Sequence, residues 1–174
     1  MAFINIEIKA RTSKADVIRQ YLIDHAAELR GIDEQTDTYF NATHGRLKLR
    51  EGKIENSLIY YHRKEIGGPK QSDVELIKTD DGPALKSVLE KALGIKTIVK
   101  KRREIYYIGN VKFHLDTLDA LGSFVEIEAS NQFDPLPEQR LRDQCREYMQ
   151  AFGISDEDIV NGSYSDMIAD VTID

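Results

Sequence analysis

Four segments of the chain alternate apolar and charged residues almost without exception. In INIEIKAR at 4–11, the isoleucines alternate with Asn5, Glu7, Lys9 and Arg11. Residues two apart in a β-strand lie on the same face, so such a segment predicts a strand with one apolar and one polar face. The other three segments are GRLKLR at 45–50, VKFHLD at 111–116 and FVEIEA at 124–129.

The rest of the sequence predicts further strands and a few helices. Strand patterns lie near 3–11, 37–41, 46–51, 57–64, 72–78, 98–107, 111–117 and 123–130. Helical patterns lie between Ser13 and Gly31, from Pro83 to Gly94 and from Pro137 to Gly153, and Ser155 with Asp158 has the spacing to cap a short fourth helix. Eight strands with few helices indicate an antiparallel α+β domain.

Two folds accommodate strands with these faces. In an open antiparallel sheet, the apolar face covers a core and the charged face lies in water. In a closed barrel, the charges line the lumen and helices cover the apolar outside; eight strands leave an interior just wide enough for side chains or one small ligand. Acids and bases cluster by strand here, whereas solvated faces usually mix uncharged polar residues with single charges. Periodicity alone leaves both folds open.

Composition limits the partners and the location. A chain of 174 residues suits a single domain spanning 1–174. Its net charge of −6 argues against a general nucleic-acid surface, and no apolar run approaches the roughly 20 residues that span a bilayer. MAFINIEIKAR has no signal-peptide layout, and the single cysteine, Cys145, can form no internal disulfide. We therefore expect a cytoplasmic protein without membrane or nucleic-acid partners.

Seven segments, in this order along the chain, carry a more specific signal: NIEIKAR, DTYF, GRLKLRE, LIYYHR, GPKQSDVEL, KKRREIYYIG and HLDTLDALGSFVEIEAS. They resemble the CYTH superfamily of triphosphate tunnel enzymes and are most similar to its class IV adenylate cyclase-like branch. The segment that follows resembles the C-terminal helices of that branch. The resemblance implies an eight-stranded antiparallel β-barrel with a charged tunnel, helices packed outside and a C-terminal helical segment. It therefore favours the closed barrel over the open sheet.

The charges of such a barrel predict a triphosphate site. A triphosphate carries about four negative charges, and burying it requires fixed cations on several sides. Eight basic residues from five or six strands can surround it: Lys9, Arg46, Lys48, Arg50, Arg63, Lys101, Arg103 and Lys112. Among them, Lys9 and Arg63 are the predicted catalytic residues.

Carboxylates on the same inner face predict a divalent metal, because they would repel the ligand unless a cation lay between. The predicted ligands of Mg²⁺ or Mn²⁺ are Glu7, Asp116, Glu126 and Glu128. The resemblance implies this role for the matching glutamates. The family signature E-x-E-x-K begins here with Asn5, which offers a carbonyl oxygen but no charge, so the number of metals stays open.

Two side-chain assignments depend on local detail. Strand register decides whether Arg63 or the adjacent Lys64 faces the tunnel. We predict Arg63, because it lies two residues after Tyr61 and therefore on the same face of the strand. His62 and His114 have weaker claims as ligands, since a histidine in an alternating strand is more often structural.

The resemblance implies a metal-dependent enzyme that converts ATP to cyclic AMP and pyrophosphate. An inorganic or organic triphosphatase is the alternative, because hydrolysis needs the same cations and metals. A non-catalytic nucleotide- or polyphosphate-binding module is a further alternative, although the four acids count against it. The expected partner is thus a nucleotide or inorganic triphosphate, and a homodimer is compatible with the family.

Overall fold

The computed structural model describes residues 2–64 and 69–171 and contains a closed eight-stranded β-barrel. The strands are β1 Ala2–Arg11, β2 Glu28–Phe40, β3 Arg46–Glu51, β4 Ser57–Lys64, β5 Lys70–Lys78, β6 Ile95–Ile108, β7 Val111–Leu118 and β8 Gly122–Ser130. The helices are α1 Ala15–Asp24, α2 Gly82–Leu93, α3 Glu138–Ala151 and α4 Tyr164–Val171, with a 3₁₀ turn at Asp156–Asp158. No helix within residues 2–64 or 69–171 is long and apolar enough to cross a membrane.

Closure of the sheet follows from the pairing of β1. The order around the barrel is β1-β5-β4-β3-β2-β6-β7-β8, and β1 pairs antiparallel with both β5 and β8. Along the β1–β8 seam, Glu7 lies opposite Glu128 and Lys9 opposite Glu126. The alternating segments therefore bring their charged faces together inside, which confirms the closed antiparallel barrel and rejects the open sheet.

The main hydrophobic core lies outside the barrel wall. The outward side chains of β1, β7 and β8 include Ile6, Phe113 and Ile127, all fully buried, and they pack against α1 and α3. Cys145 of α3 belongs to this core, and its thiol lies 3.3 Å from the carbonyl oxygen of Ile6. The helices thus cover the apolar face that closure turns outward.

A second apolar cluster lies inside the barrel and extends to the start of α4. It contains inward-facing residues such as Tyr39, Tyr61 and Phe124, and it includes Tyr164 from the start of α4. The rings of Phe124 and Tyr164 meet edge to face, with centroids 5.1 Å apart. The C-terminal helix therefore packs into the end of the barrel where β1 finishes and β8 begins.

The first helix is shorter than the sequence pattern predicts. The helical pattern extends to Gly31, but α1 ends at Asp24 and Ala26 has a φ of 54°, which stops a right-handed helix. From Glu28 onward the chain pairs with β6, and this long ladder outweighs the local helical periodicity. Just before α1, the Thr12 hydroxyl accepts a hydrogen bond from the backbone N–H of Lys14, at 2.9 Å. The cap predicted at Ser155 and Asp158 is present.

The outer core should dominate the stability of the fold. Phe113 is fully buried and makes edge contacts with Tyr148 and Phe152, at centroid distances of 4.7 and 5.7 Å. We expect Phe113→Ala to lower the free energy of unfolding by about 3–5 kcal/mol, measured by chemical denaturation. Val88→Ala on α2 is the control: its side chain is 63% exposed, so the change should stay within about 0.5 kcal/mol. Equal small effects of the two substitutions would contradict this location of the core.

Candidate active site

The barrel lumen is a large cavity with a charged lining. Its volume is about 1010 Å³, and all eight strands contribute side chains to it. A cavity of this size accommodates a ligand as large as a nucleotide. The end away from α4 is lined by residues such as Asn5, Tyr107 and Phe133.

Seven of the eight predicted phosphate-binding cations line this cavity: Lys9, Lys48, Arg50, Arg63, Lys101, Arg103 and Lys112. Arg63 faces the lumen, whereas Lys64 is exposed and lies 3.4 Å from Asp73 on the outside.

Arg46 is placed apart from the other seven cations. It lies beside α4, where its guanidinium donates two hydrogen bonds to Asp166, at 3.1 and 2.9 Å, and one to the Ser163 hydroxyl, at 2.6 Å. The Arg46 guanidinium, which was expected to bind a phosphate, therefore binds a carboxylate of the protein itself.

A buried aspartate that the sequence analysis did not select gathers three of the cations. The Asp37 carboxylate accepts hydrogen bonds from Arg50 at 2.9 Å, from Lys101 at 2.8 Å and from Lys48 at 3.2 Å. Burial opposes its ionisation, but Arg50, Lys101 and Lys48 outweigh burial and hold the pKa of Asp37 well below its ordinary value. Asp37 thus fixes the positions of Lys48, Arg50 and Lys101 on the inner face of the barrel.

Two of the four predicted metal ligands are held by arginines. Asp116 accepts two hydrogen bonds from Arg103, at 2.7 and 2.6 Å, and one from the Tyr164 hydroxyl, at 2.7 Å, and it lies behind the cavity lining. Glu7 lines the cavity but accepts a 2.6 Å hydrogen bond from Arg63. Neither carboxylate is part of the acidic group at the centre of the site.

That group consists of His114, Glu126 and Glu128, whose ligand atoms lie within 4.8 Å of one another. Burial first, then Arg103 and Lys112, lower the pKa of His114 to about 3, so the ring is neutral. Its Nδ1 lies 3.2 Å from a Glu126 oxygen and donates to it, because a carboxylate only accepts. The buried Nε2 then keeps a lone pair with no hydrogen-bond partner among the described residues.

The two glutamates of this group differ in how far neighbouring cations compensate their charge. Lys9 and Arg103 are near Glu126, at 3.6 and 3.2 Å, and against the effect of burial they hold its pKa well below the ordinary value. Burial and the neighbouring Glu126 raise the pKa of Glu128 to about 7. Two carboxylates and a neutral imidazole are a donor set that suits a divalent cation such as Mn²⁺ or Mg²⁺. His114, which was expected to be structural, thus joins the two glutamates in a possible metal site.

A family model described as the CYTH domain matches residues 4–164. The chain belongs to the CYTH family. Members of this family are enzymes, its triphosphate tunnel enzymes use divalent metals, and the family suggests a nucleotide or triphosphate substrate.

One curated protein and two solved structures are similar to this chain over most of its length. A Methanocaldococcus jannaschii protein provisionally named adenylate cyclase is 25% identical over 94% of this chain and 98% of that protein. The structure of a provisionally named adenylate cyclase from Vibrio parahaemolyticus has a TM-score of 0.78 at 20% identity, covering 95% and 98% of the two chains. A Hippeastrum protein reported with a dominant triphosphatase activity has a TM-score of 0.65 at 13% identity, covering 93% and 92%. The two structures share the fold of the CYTH chain.

The charge state of Lys101 should couple triphosphate binding to pH. Lys101 is fully buried, and burial first, then Arg103, Arg50 and Lys48, lower its pKa to about 7 despite Asp37. An incoming polyanion favours the charged amine, so binding should take up a proton, and affinity should fall by up to about tenfold per pH unit above pH 7.

Calorimetric titration of inorganic triphosphate between pH 6.5 and 9 measures this dependence. Lys101→Arg is the matched control, since arginine stays charged over the whole range. The ligand and Glu128 titrate in both proteins, so the difference between the two pH profiles reports the titration of Lys101. Parallel profiles for the two proteins would show that Lys101 does not titrate on binding.

Proposed function

We propose that this CYTH protein is a metal-dependent enzyme that binds ATP in the barrel lumen and converts it to cyclic AMP and pyrophosphate. The observation that carries the proposal is that one cavity is lined both by seven of the predicted cations and by Glu126 and Glu128, the two glutamates that group with His114. We further propose that residues 1–174 form one domain. The cytoplasmic location and the homodimer stay predictions.

The cations are arranged to enclose a triphosphate. They come from β1, β3, β4, β6 and β7, so they approach from several directions around the barrel. Arginine can bind two phosphate oxygens at once, whereas lysine acts as a point charge that adapts to either neighbour. The surrounding barrel wall lowers the local dielectric constant relative to bulk water, which strengthens each contact.

Glu126 and Glu128, with His114, are the residues that we propose to hold Mg²⁺ or Mn²⁺. A divalent cation there would polarise a phosphoryl oxygen and offset the charge between ligand and carboxylates. Glu7 and Asp116 accept shorter arginine hydrogen bonds, 2.6 Å each, than Glu126, at 3.2 Å, so we assign them to positioning Arg63 and Arg103. Asn5 lines the cavity without a charge, which disfavours a second metal of equal affinity.

The proposed cyclisation forms a bond between the ribose 3′-oxygen and the α-phosphorus and breaks the bond to pyrophosphate. The hydroxyl proton passes to solvent. Lys9 lies 3.6 Å from Glu126, and Arg63 lies 2.6 Å from Glu7, so both cations adjoin the acidic side of the lumen. There they can stabilise the negative charge that develops on the transferring phosphoryl group and on the leaving pyrophosphate.

The chemistry of the open end supports a nucleoside triphosphate. Phe133 lines the cavity with a side chain that is 78% exposed, and Tyr107 lies on the same lining. The backbone N–H of neighbouring Asn131 donates to the carbonyl of Ile4, which fixes this segment at the start of β1, away from α4. Aromatic rings at such a mouth can stack on a base while the phosphates extend inward.

Triphosphate hydrolysis is the second candidate. The Hippeastrum neighbour with dominant triphosphatase activity has the same fold, so the fold does not discriminate between the reactions. In hydrolysis, water attacks the terminal phosphorus and orthophosphate leaves. The same cations and carboxylates would serve, because both reactions transfer a phosphoryl group.

Chromatography of products tests the proposal. Purified protein is incubated with ATP or with inorganic triphosphate, in Mg²⁺ or Mn²⁺, and we expect cyclic AMP and pyrophosphate in equal amounts from ATP. Orthophosphate release from inorganic triphosphate without cyclic AMP would identify a triphosphatase. If neither substrate is turned over, the result would favour a non-catalytic binding module.

Two carboxylate variants accompany this assay. Glu126→Gln and Glu128→Gln keep the shape of each side chain and remove the charge that a hard cation needs, so activity should collapse in at least one, with partial rescue at raised Mn²⁺. Glu90→Gln on the exposed side of α2 is the control and should keep full activity. If both lumen variants keep full activity and undiminished metal affinity, the metal does not bind to Glu126 and Glu128.

A further inference from the structure

The loop between β3 and β4 is built around a single buried carboxylate. Asp33 accepts hydrogen bonds from the three consecutive backbone N–H groups of residues 53–55, at 2.7, 3.2 and 3.0 Å. The Asn56 side chain bonds both the N–H and the carbonyl of Gly52, at 3.1 and 2.7 Å. A β-carbon on Gly52 would collide with the Asp33 carboxylate. The loop is therefore held in one conformation, directed into the barrel.

This conformation places the Glu55 carboxylate inside the lumen. Arg50 donates to it at 2.9 Å, Gln35 donates at 3.0 Å, and Lys112 forms an ion pair with its other oxygen. Burial opposes its ionisation, but Lys112 and Arg50 outweigh burial and hold the pKa of Glu55 well below its ordinary value. A charged loop carboxylate thus lines the cavity next to two of the predicted phosphate-binding cations.

Those two cations lie on widely separated parts of the wall. Arg50 is on β3 and Lys112 is on β7, with β2 and β6 between them in the barrel order. Glu55 therefore bridges the lumen as one anionic group of a bound ligand would. It is not one of the three residues whose ligand atoms cluster, His114, Glu126 and Glu128.

Asp37, which also binds Arg50, differs from Glu55 in its position, its exposure and the length of its side chain. Asp37 is a strand residue with a side chain that is 1% exposed, and its short side chain cannot leave the wall. Glu55 is 20% exposed, stands on a loop and has a longer side chain that can rotate toward the open cavity while the loop stays anchored. Displacement of Glu55 thus needs no unfolding of the loop.

We propose that Glu55 is a positioning residue that occupies the phosphate site of the ligand-free protein, holds Arg50 and Lys112 across the lumen, and is displaced by triphosphate. The inference rests on the triphosphate site of the proposed function, but not on which reaction follows. A triphosphate that binds these two cations must first replace Glu55, so the carboxylate weakens binding. If Glu55 had only a structural role, its removal would instead weaken triphosphate binding.

Calorimetric titration of inorganic triphosphate into Glu55→Gln, without metal and with chelator present, tests this. We expect affinity at least about tenfold tighter than in the unsubstituted protein, because the competing charge is gone. Glu51→Gln is the matched control: it removes the same charge from the same hairpin, but from an outer residue 3.7 Å from Lys86, and should leave affinity unchanged. Without ligand, Glu55→Gln should melt at a lower temperature, and triphosphate should raise its melting temperature more than that of the unsubstituted protein.

Unchanged or weaker affinity of Glu55→Gln, with the unsubstituted protein still binding triphosphate, would overturn the role of Glu55 alone. Failure of the unsubstituted protein to bind triphosphate would overturn the proposed function instead. A crystal structure of the unsubstituted protein with triphosphate gives an independent result that does not require the variant to fold. Glu55 must then lie beyond hydrogen-bond reach of Arg50 and Lys112; if it still contacts both, the proposal is wrong.

Discussion

Mutual neutralisation of charges inside a closed barrel is the interaction on which this structure depends. Burying a lysine or arginine alone is costly, and seven of the predicted phosphate-binding cations line the lumen. Asp37 offsets three of these cations, Asp116 offsets Arg103, and Glu7 offsets Arg63. Such pairs do not by themselves guarantee stability, since desolvation cancels much of the attraction. The outer core of β1, β7 and β8 against α1 and α3 supplies the hydrophobic stabilisation.

The same compensation prepares the lumen for a polyanion. Cations whose positions are fixed by strand backbones and by buried carboxylates need little rearrangement when a triphosphate arrives. Compensation is least complete at Glu128, whose pKa is raised by burial and by the neighbouring Glu126, and the adjacent His114 has a ring nitrogen with no hydrogen-bond partner among the described residues. In the proposed function, a cation binds at that point and a phosphate chain binds among the basic residues, which is the combination that phosphoryl transfer requires.

Much of this site could be predicted from local sequence. In a strand, alternation alone determines which side chains share a face, so Lys48, Arg50 and Lys112 line the lumen as expected. Alternation does not say which partner meets a side chain. Arg46 has the same parity, but Asp166, 120 residues away, binds it at the end covered by α4. Glu55 stands in a loop, where no periodicity applies.

Long-range pairing also explains the error at the first helix. Leu29 fits both a helical stripe and a strand, and only the pairing of β2 with β6 decides between them. His114 shows the same limit, because only the pairing of β7 with β8 places its ring beside Glu126.

The most direct test of the account is the position of the metal and the phosphates relative to the barrel. A crystal structure with Mn²⁺ and a non-hydrolysable ATP analogue, with anomalous scattering used to locate manganese, measures both at once. The account predicts an anomalous peak bound by the carboxylates of Glu126 and Glu128, with the phosphates in the lumen among Lys9, Lys101 and Arg103. A peak at another set of residues, or phosphates bound outside the barrel, would contradict it.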